Sequence, residues 1–151
     1  EDAASRLQET FAYLDEIYGD ILTVKASGYL FLRGVLTERE LQAIIMTEIS
    51  QGLYYIVAAQ KRSHLDPLIV GYACFIEFLL RGGALRKKEG GFQVDFQRAF
   101  MAIDELSHVF EYYLSLASRD NAREFLEKFQ AEDILRQFEP HLKGLLEREK
   151  A

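Results

Sequence analysis

Cysteine and proline are nearly absent: the chain of 151 residues has one cysteine and two prolines. A single thiol rules out an internal disulfide framework and any cysteine-rich zinc site. Basic residues are outnumbered, 18 against 24 acidic, for a net charge of -6. An acidic chain without a basic run is a poor electrostatic partner for nucleic acid or an anionic membrane, so neither is expected to bind. Long hydrophobic runs are missing too. The longest, around Leu68 to Leu80, contains Glu77 and is too short to span a bilayer, so no membrane insertion is expected. There is no Gly-x-Ser-x-Gly elbow for a serine nucleophile. Gly82-Gly83 and Gly90-Gly91 lack the lysine and helix context of a phosphate-binding loop. One unpaired cysteine and no signal segment lead us to expect a cytoplasmic protein. The chain opens on Glu1 rather than methionine, as a processed or excised piece of a longer protein would.

What is present is apolar residue at helical spacing. Hydrophobic residues make up 49% of the chain and eleven are phenylalanine, which argues against disorder. The length suits one domain, 1–151, able to bury roughly two thirds of its unfolded surface. Leu7, Phe11, Leu14, Tyr18 and Ile21 repeat at intervals of three and four and form one apolar stripe. Thr37 with Glu40 reads as a capping box, starting a helix that runs through Ile44, Ile49, Leu53 and Ile56 to about Arg62. Asp66-Pro67 supplies an N-cap acceptor and a proline at the first helical position. The helix from Pro67 to about Arg81 is apolar on nearly every side, which places it at the centre of the domain. Gly82 and Gly83 end it.

Residues 84–95 do not read as helix. Leu85 and Val94 are expected to share one face of a short hairpin, with glycines supplying positive φ at the Lys88-Glu89-Gly90-Gly91 turn. Asp95 then caps a helix whose stripe runs from Phe96 to Ala117. Ser118 and Asp120 punctuate, and helices over about Asn121 to Gln130 and Glu132 to Glu149 follow. The expected fold class is all-α: a single domain of five or six helices with one short β-hairpin inserted.

Few residues offer chemistry. The one metal-like spacing is Glu105-x-x-His108, which puts two ligands on one helix face. A di-iron bundle needs two such pairs and two further carboxylates. Glu48 and Glu77 lie in the two most apolar helices, but neither is followed by a histidine three residues on. A solvent-edge position for Glu105 and His108 is the favoured reading. Glu77, between Ile76 and Phe78, is expected to be desolvated and to find donors from a tyrosine or from Arg81. Glu48, flanked by Thr47, Ser50 and Gln51, suits a wet groove. Tyr54, Tyr55, Tyr72, Tyr112 and Tyr113 either line a pocket for a flat ligand or belong to the core. His64 and Ser63 read as an exposed loop, and Asp66 as a cap rather than a triad member. Cys74 reads as an inert buried hydrophobe.

From about Gly71 to Phe129 the order of features resembles the C-terminal helical part of the dipeptidyl-peptidase III family of zinc peptidases. The resemblance is carried by Phe78-Leu79-Leu80-Arg81-Gly82-Gly83-Ala84-Leu85 and Gly91-Phe92-Gln93-Val94-Asp95-Phe96. Ala102-Ile103-Asp104-Glu105-Leu106 and the run from Asn121 to Phe129 continue it. It extends more weakly to Lys25-Ala26 and Gly34-Val35-Leu36-Thr37. The resemblance implies a helical scaffold that binds zinc through two histidines and a glutamate pair. With Lys25-Ala26 aligned, the Glu-Glu positions hold Leu22 and Thr23, and the acidic position after the alanine holds Ser27. Leucine and threonine do not replace a carboxylate on zinc, and no helix carries two histidines.

The resemblance therefore implies the scaffold without the chemistry. A non-catalytic helical module is expected, packing against another chain, another domain or itself, with no cofactor. The alternatives are an enzyme or small-ligand binder built on Glu48, Glu77, Glu105, His108 and the tyrosines, or a fragment of a larger peptidase-like protein. Convergence of those four side chains in one cavity separates the first reading from the second.

Overall fold

The computed structural model describes residues 2–58, 66–88, 91–129 and 132–138. Its elements run α1 (Ala3–Leu7), α2 (Glu9–Leu32), α3 (Glu38–Ala58), α4 (Pro67–Arg81), β1 (Leu85–Lys88), β2 (Gly91–Val94), α5 (Phe96–Ser115) and α6 (Arg119–Leu126). Residues 132–138 are also helical. The architecture is all-α with a two-stranded antiparallel insertion.

The local signals act where they stand in the sequence. Thr37 N–H donates to Glu40 Oε2 at 2.7 Å, and Glu40 N–H donates to Thr37 Oγ1 at 3.3 Å. Both halves of the capping box are made. Asp66 accepts from Leu68 N–H at 3.0 Å, Asp95 from Arg98 N–H at 3.0 Å, and Ser118 from Asn121 N–H at 3.3 Å. Two helices end with glycine in the left-handed region, Gly34 at φ 71° and Gly83 at φ 67°. Val35 N–H reaches back to Leu30 O and Ala84 N–H to Leu79 O, each at 2.9 Å, closing the turns that glycine permits.

Boundaries differ from expectation in several places. Gln8, at φ 51°, breaks the first stripe, so Leu7 closes α1 while Phe11 to Ile21 belong to α2. The helix α6 stops at Leu126 rather than near Gln130, with Glu127 N–H returning to Arg123 O. Leu85 pairs with Val94 as expected. Gly91 does not take positive φ, and the remaining turn residues 89–90, like 59–65 and 139–151, lie outside the described residues.

The core sits around α4. Ile69, Tyr72, Ala73, Cys74, Ile76 and Leu79 are fully buried there, as an all-round apolar helix requires. The helix packs between α2, α3 and α5. Glycines set how closely the helices cross. A Cβ at Gly71 would lie 2.9 Å from Ile17, and one at Gly52 2.9 Å from the Tyr72 ring. At Gly28 it would lie 2.1 Å from the Phe100 ring, so α2 and α5 approach only because no side chain intervenes. At the far end Arg6 of α1 donates to the carbonyls of Leu114 and Ala117. A cation thereby meets the free acceptors at the C-terminus of α5.

Candidate functional site

Among the described residues, two polar clusters and a groove bring together side chains that could do chemistry. The first cluster lies where α2, α3 and α4 meet. Tyr72 is fully buried, stacks on Tyr55 at 5.2 Å, and donates its hydroxyl proton to Asp20 Oδ2 at 2.7 Å. Glu48 of α3 shares this corner. Its Oε2 is buried with no hydrogen-bond partner among the described residues. Burial and the neighbouring Asp20 carboxylate raise the Glu48 pKa, opposed by hydrogen bonding with Tyr72. Burial and both carboxylates push the phenol far above its ordinary value.

The second cluster runs along the α2–α5 seam. Lys25 Nζ donates to Ser107 Oγ at 2.9 Å and pairs with Asp104 at 3.3 Å and Glu111 at 3.9 Å. Tyr18, two turns back on α2, donates to Glu111 Oε1 at 3.1 Å. His108 lies beside Glu111, Nδ1 to Oε2 at 3.1 Å, and faces Asp104 at 3.8 Å. The His108 hydrogen bond, with help from Tyr18 and Lys25, holds the Glu111 pKa below its usual range.

The groove, about 930 Å³, lies along α5 and is bordered by Gly82, Asp95, Arg98, Met101, Glu105 and His108. Met101 is 63% exposed on its wall, so the groove opens to solvent. Glu48 and Glu77 do not line it.

Thus the expected candidates separate. Glu48 and Tyr72 come together, with Asp20 as an unforeseen third member. Glu105 and His108 share the groove, but His108 turns to Asp104 and Glu111, on either side of it along the helix. Glu77 takes the donor expected of Arg81, accepting from its Nε at 2.8 Å one turn on; its side chain is 21% exposed at the helix edge rather than fully desolvated. Tyr54 and Tyr112 are 53% and 49% exposed, each edge-on to its neighbouring tyrosine. Neither they nor Tyr72 line the groove along α5. Cys74 is buried, and desolvation raises its thiol pKa well above the ordinary value.

Leu22 and Thr23, the positions the resemblance would set at a glutamate pair, lie on α2. Leu22 is 38% exposed. Thr23 gives its hydroxyl to Gly19 O at 3.0 Å, and Ser27 gives its own to Thr23 O at 2.8 Å. Both hydroxyls are spent on the helix backbone. Among the described residues no three His, Cys, Asp or Glu side chains are grouped to hold a metal ion. No described helix is long and apolar enough to cross a membrane.

No protein-family model and no curated protein matches the chain. Among solved structures it is similar to dipeptidyl-peptidase III from Caldithrix abyssi, with a TM-score of 0.66 and 17% identity over 84% of this chain. It spans 24% of that structure's length. The likeness is one of fold: this chain and a part of that structure share their arrangement.

Proposed function

We propose that the chain is a non-catalytic helical module that acts by packing against another protein surface. It is read as one domain, 1–151, that uses no cofactor and works in a cytoplasmic setting, where a buried, reduced Cys74 is at ease. The observation that carries this reading is the α2 face at Leu22 and Thr23. Where the resemblance would place a metal-binding glutamate pair, the chain has an exposed leucine and a threonine tied to its own helix. A partner surface has use for an exposed apolar residue there; a metal does not.

The test is metal analysis of the purified chain together with peptidase assays in added zinc. Less than one-tenth equivalent of bound zinc and no zinc-dependent hydrolysis are expected. Stoichiometric metal lost on His108→Ala, or hydrolysis abolished by chelator, overturns the reading.

The buried, unpartnered Glu48 Oε2 favours one second reading, a small polar ligand held by Asp20, Glu48 and Tyr72. Glu48→Leu separates the two. A variant that is more stable yet has lost a ligand promotes the pocket, since binding sites are commonly kept at a cost in stability. A variant changed in stability alone supports the packing module.

A further inference from the structure

One face of α2 is uncovered from end to end. With 3.6 residues per turn, Asp15, Gly19, Leu22, Ala26, Tyr29 and Arg33 fall within about 80° around the helix axis. All six are exposed. Tyr29 is 61% and Leu22 38% exposed, with Leu30 at 39% and Leu32 at 77% widening the stripe on either side. The face is long, apolar through its middle and charged only at its ends.

We propose that this face of α2 binds a second copy of the same chain, as an antiparallel helix pair whose two-fold axis crosses the face between Leu22 and Ala26, at the height of the buried Val24. This rests on the packing-module reading and names the partner. The stripe is complementary to itself when reversed. About Val24, Tyr29 of one copy meets Gly19 of the other, Leu22 meets Ala26, and Asp15 meets Arg33. Each large side chain faces a small one. The space over Gly19 holds nothing within 4 Å of an ideal Cβ, so it can receive a tyrosine ring. Asp15 and Arg33 form no ion pair among the described residues, Arg33 lying over the Tyr29 ring at 6.0 Å. In the pair they meet at both ends, about 27 Å apart along the axis.

A closed two-fold interface of this kind uses one patch twice and leaves nothing exposed for further addition. A shallow crossing of about 20° keeps both ends within reach, and small residues allow close approach of the axes. The apolar middle supplies the affinity, while the end charges fix direction and register. The net charge of -6 opposes association at long range, so a reversible dimer is the expected form.

The experiment is sedimentation velocity on the intact chain from low micromolar to several hundred micromolar concentration. A concentration-dependent dimer is expected. Ala26→Arg and, independently, Leu22→Asp are expected to weaken it roughly a hundredfold, with circular dichroism unchanged because both positions are exposed. Asp15→Arg and Arg33→Asp each weaken it about five- to tenfold, and the double exchange recovers at least half of that loss. A dimer indifferent to Ala26→Arg, or a double exchange no better than either single one, overturns the proposal. A folded chain that stays monomeric throughout and hydrolyses nothing overturns only the second copy as partner, leaving the stripe to a further domain. Zinc-dependent hydrolysis by the same preparation overturns the packing-module reading itself.

Discussion

The helix α2 carries both polar clusters, and they differ in one respect. The seam with α5 has a cation: Lys25 reaches Ser107, Asp104 and Glu111. The corner with α3 and α4 has none among its named members, only Asp20, Glu48, Tyr55 and Tyr72. Carboxylates respond accordingly. Glu111 is held below its ordinary pKa and Glu48 is pushed above it. The cluster with a cation therefore holds a carboxylate whose pKa is lowered, and the cluster without one holds a carboxylate whose pKa is raised. Neighbours decide which, because desolvation raises a carboxylate pKa unless an opposite charge or donors offset it.

The strongest way to break the contrast is to remove the ring that organises the corner. Tyr72→Ala should cost about 3–5 kcal/mol by leaving a cavity at a fully buried aromatic. Tyr72→Phe keeps the stack on Tyr55 and should cost about 1–3 kcal/mol, the penalty of leaving Asp20 without its donor. Denaturant titration of both variants checks the ordering. A phenylalanine variant as damaged as the alanine one would mean the hydroxyl, rather than the ring, holds the corner.

Lys25→Met should convert the seam into a second acid-only cluster. The Lys25 side chain is 32% exposed and its ion-pair partners Asp104 and Glu111 more so, so the stability loss should be about 1 kcal/mol, not the larger cost of a buried pair. The sharper sign is electrostatic: the Glu111 pKa should rise, which carboxyl NMR titration reads directly.

Changing pH sharpens the comparison further, because the two carboxylates have opposite signs. The folded state holds the Glu48 proton more tightly than the unfolded chain does. The Glu48 contribution is therefore intact below the unfolded value of 4.5 and is lost as pH rises through the raised folded value. Glu111 contributes the reverse, present above 4.5 and lost as pH falls through its lowered one. Glu48→Gln should thus gain stability relative to the parent at about pH 8 compared with about pH 5. Equal differences in melting temperature at both pH values would show that Glu48 is ionised throughout.

The smallest effect belongs to Glu77. With Arg81 66% exposed in their pair, Glu77→Leu should change stability by no more than about 0.5 kcal/mol. A loss of several kcal/mol in thermal denaturation would restore Glu77 to the buried role its neighbours suggested.

The contrast between Glu48 and Glu77 also marks what the sequence can reveal. Both sit in apolar helices, and apolar neighbours along the chain made Glu77 the more desolvated of the two. Position around the helix and distance from its end decided otherwise. Glu77 lies one turn from the terminus, where Arg81 reaches it, whereas Glu48 faces two other helices. Local signals were legible: the capping box at Thr37 and Glu40, the Asp66-Pro67 start and the Asp95 cap, each completed within four residues, and the Leu85–Val94 pair across one short turn. Asp20 and Ser107 were not singled out, and Lys25 only as part of the resemblance, because each gains its role from a helix far away in sequence. The resemblance reached the fold, since packing and turn residues repeat across a shared scaffold. It could not reach a partner, which depends on an outer face that the core pattern leaves unspecified.

The close approach at Gly28 and Phe100 also governs how the molecule responds to force. A ring lodged against bare backbone acts as a key in a slot: α2 cannot slide one turn along α5 without driving Phe100 into a side chain. Neighbouring turns offer Val24 or Leu32 in place of the glycine. Sliding is the soft mode of most packed helix pairs, and here it is blocked at one point. Stress applied along α2, whether by thermal motion or by a docked partner, must then be relieved by rotation about that key or by separation of the helices. Lys25, one turn before the key, is thereby held opposite Ser107 against sliding.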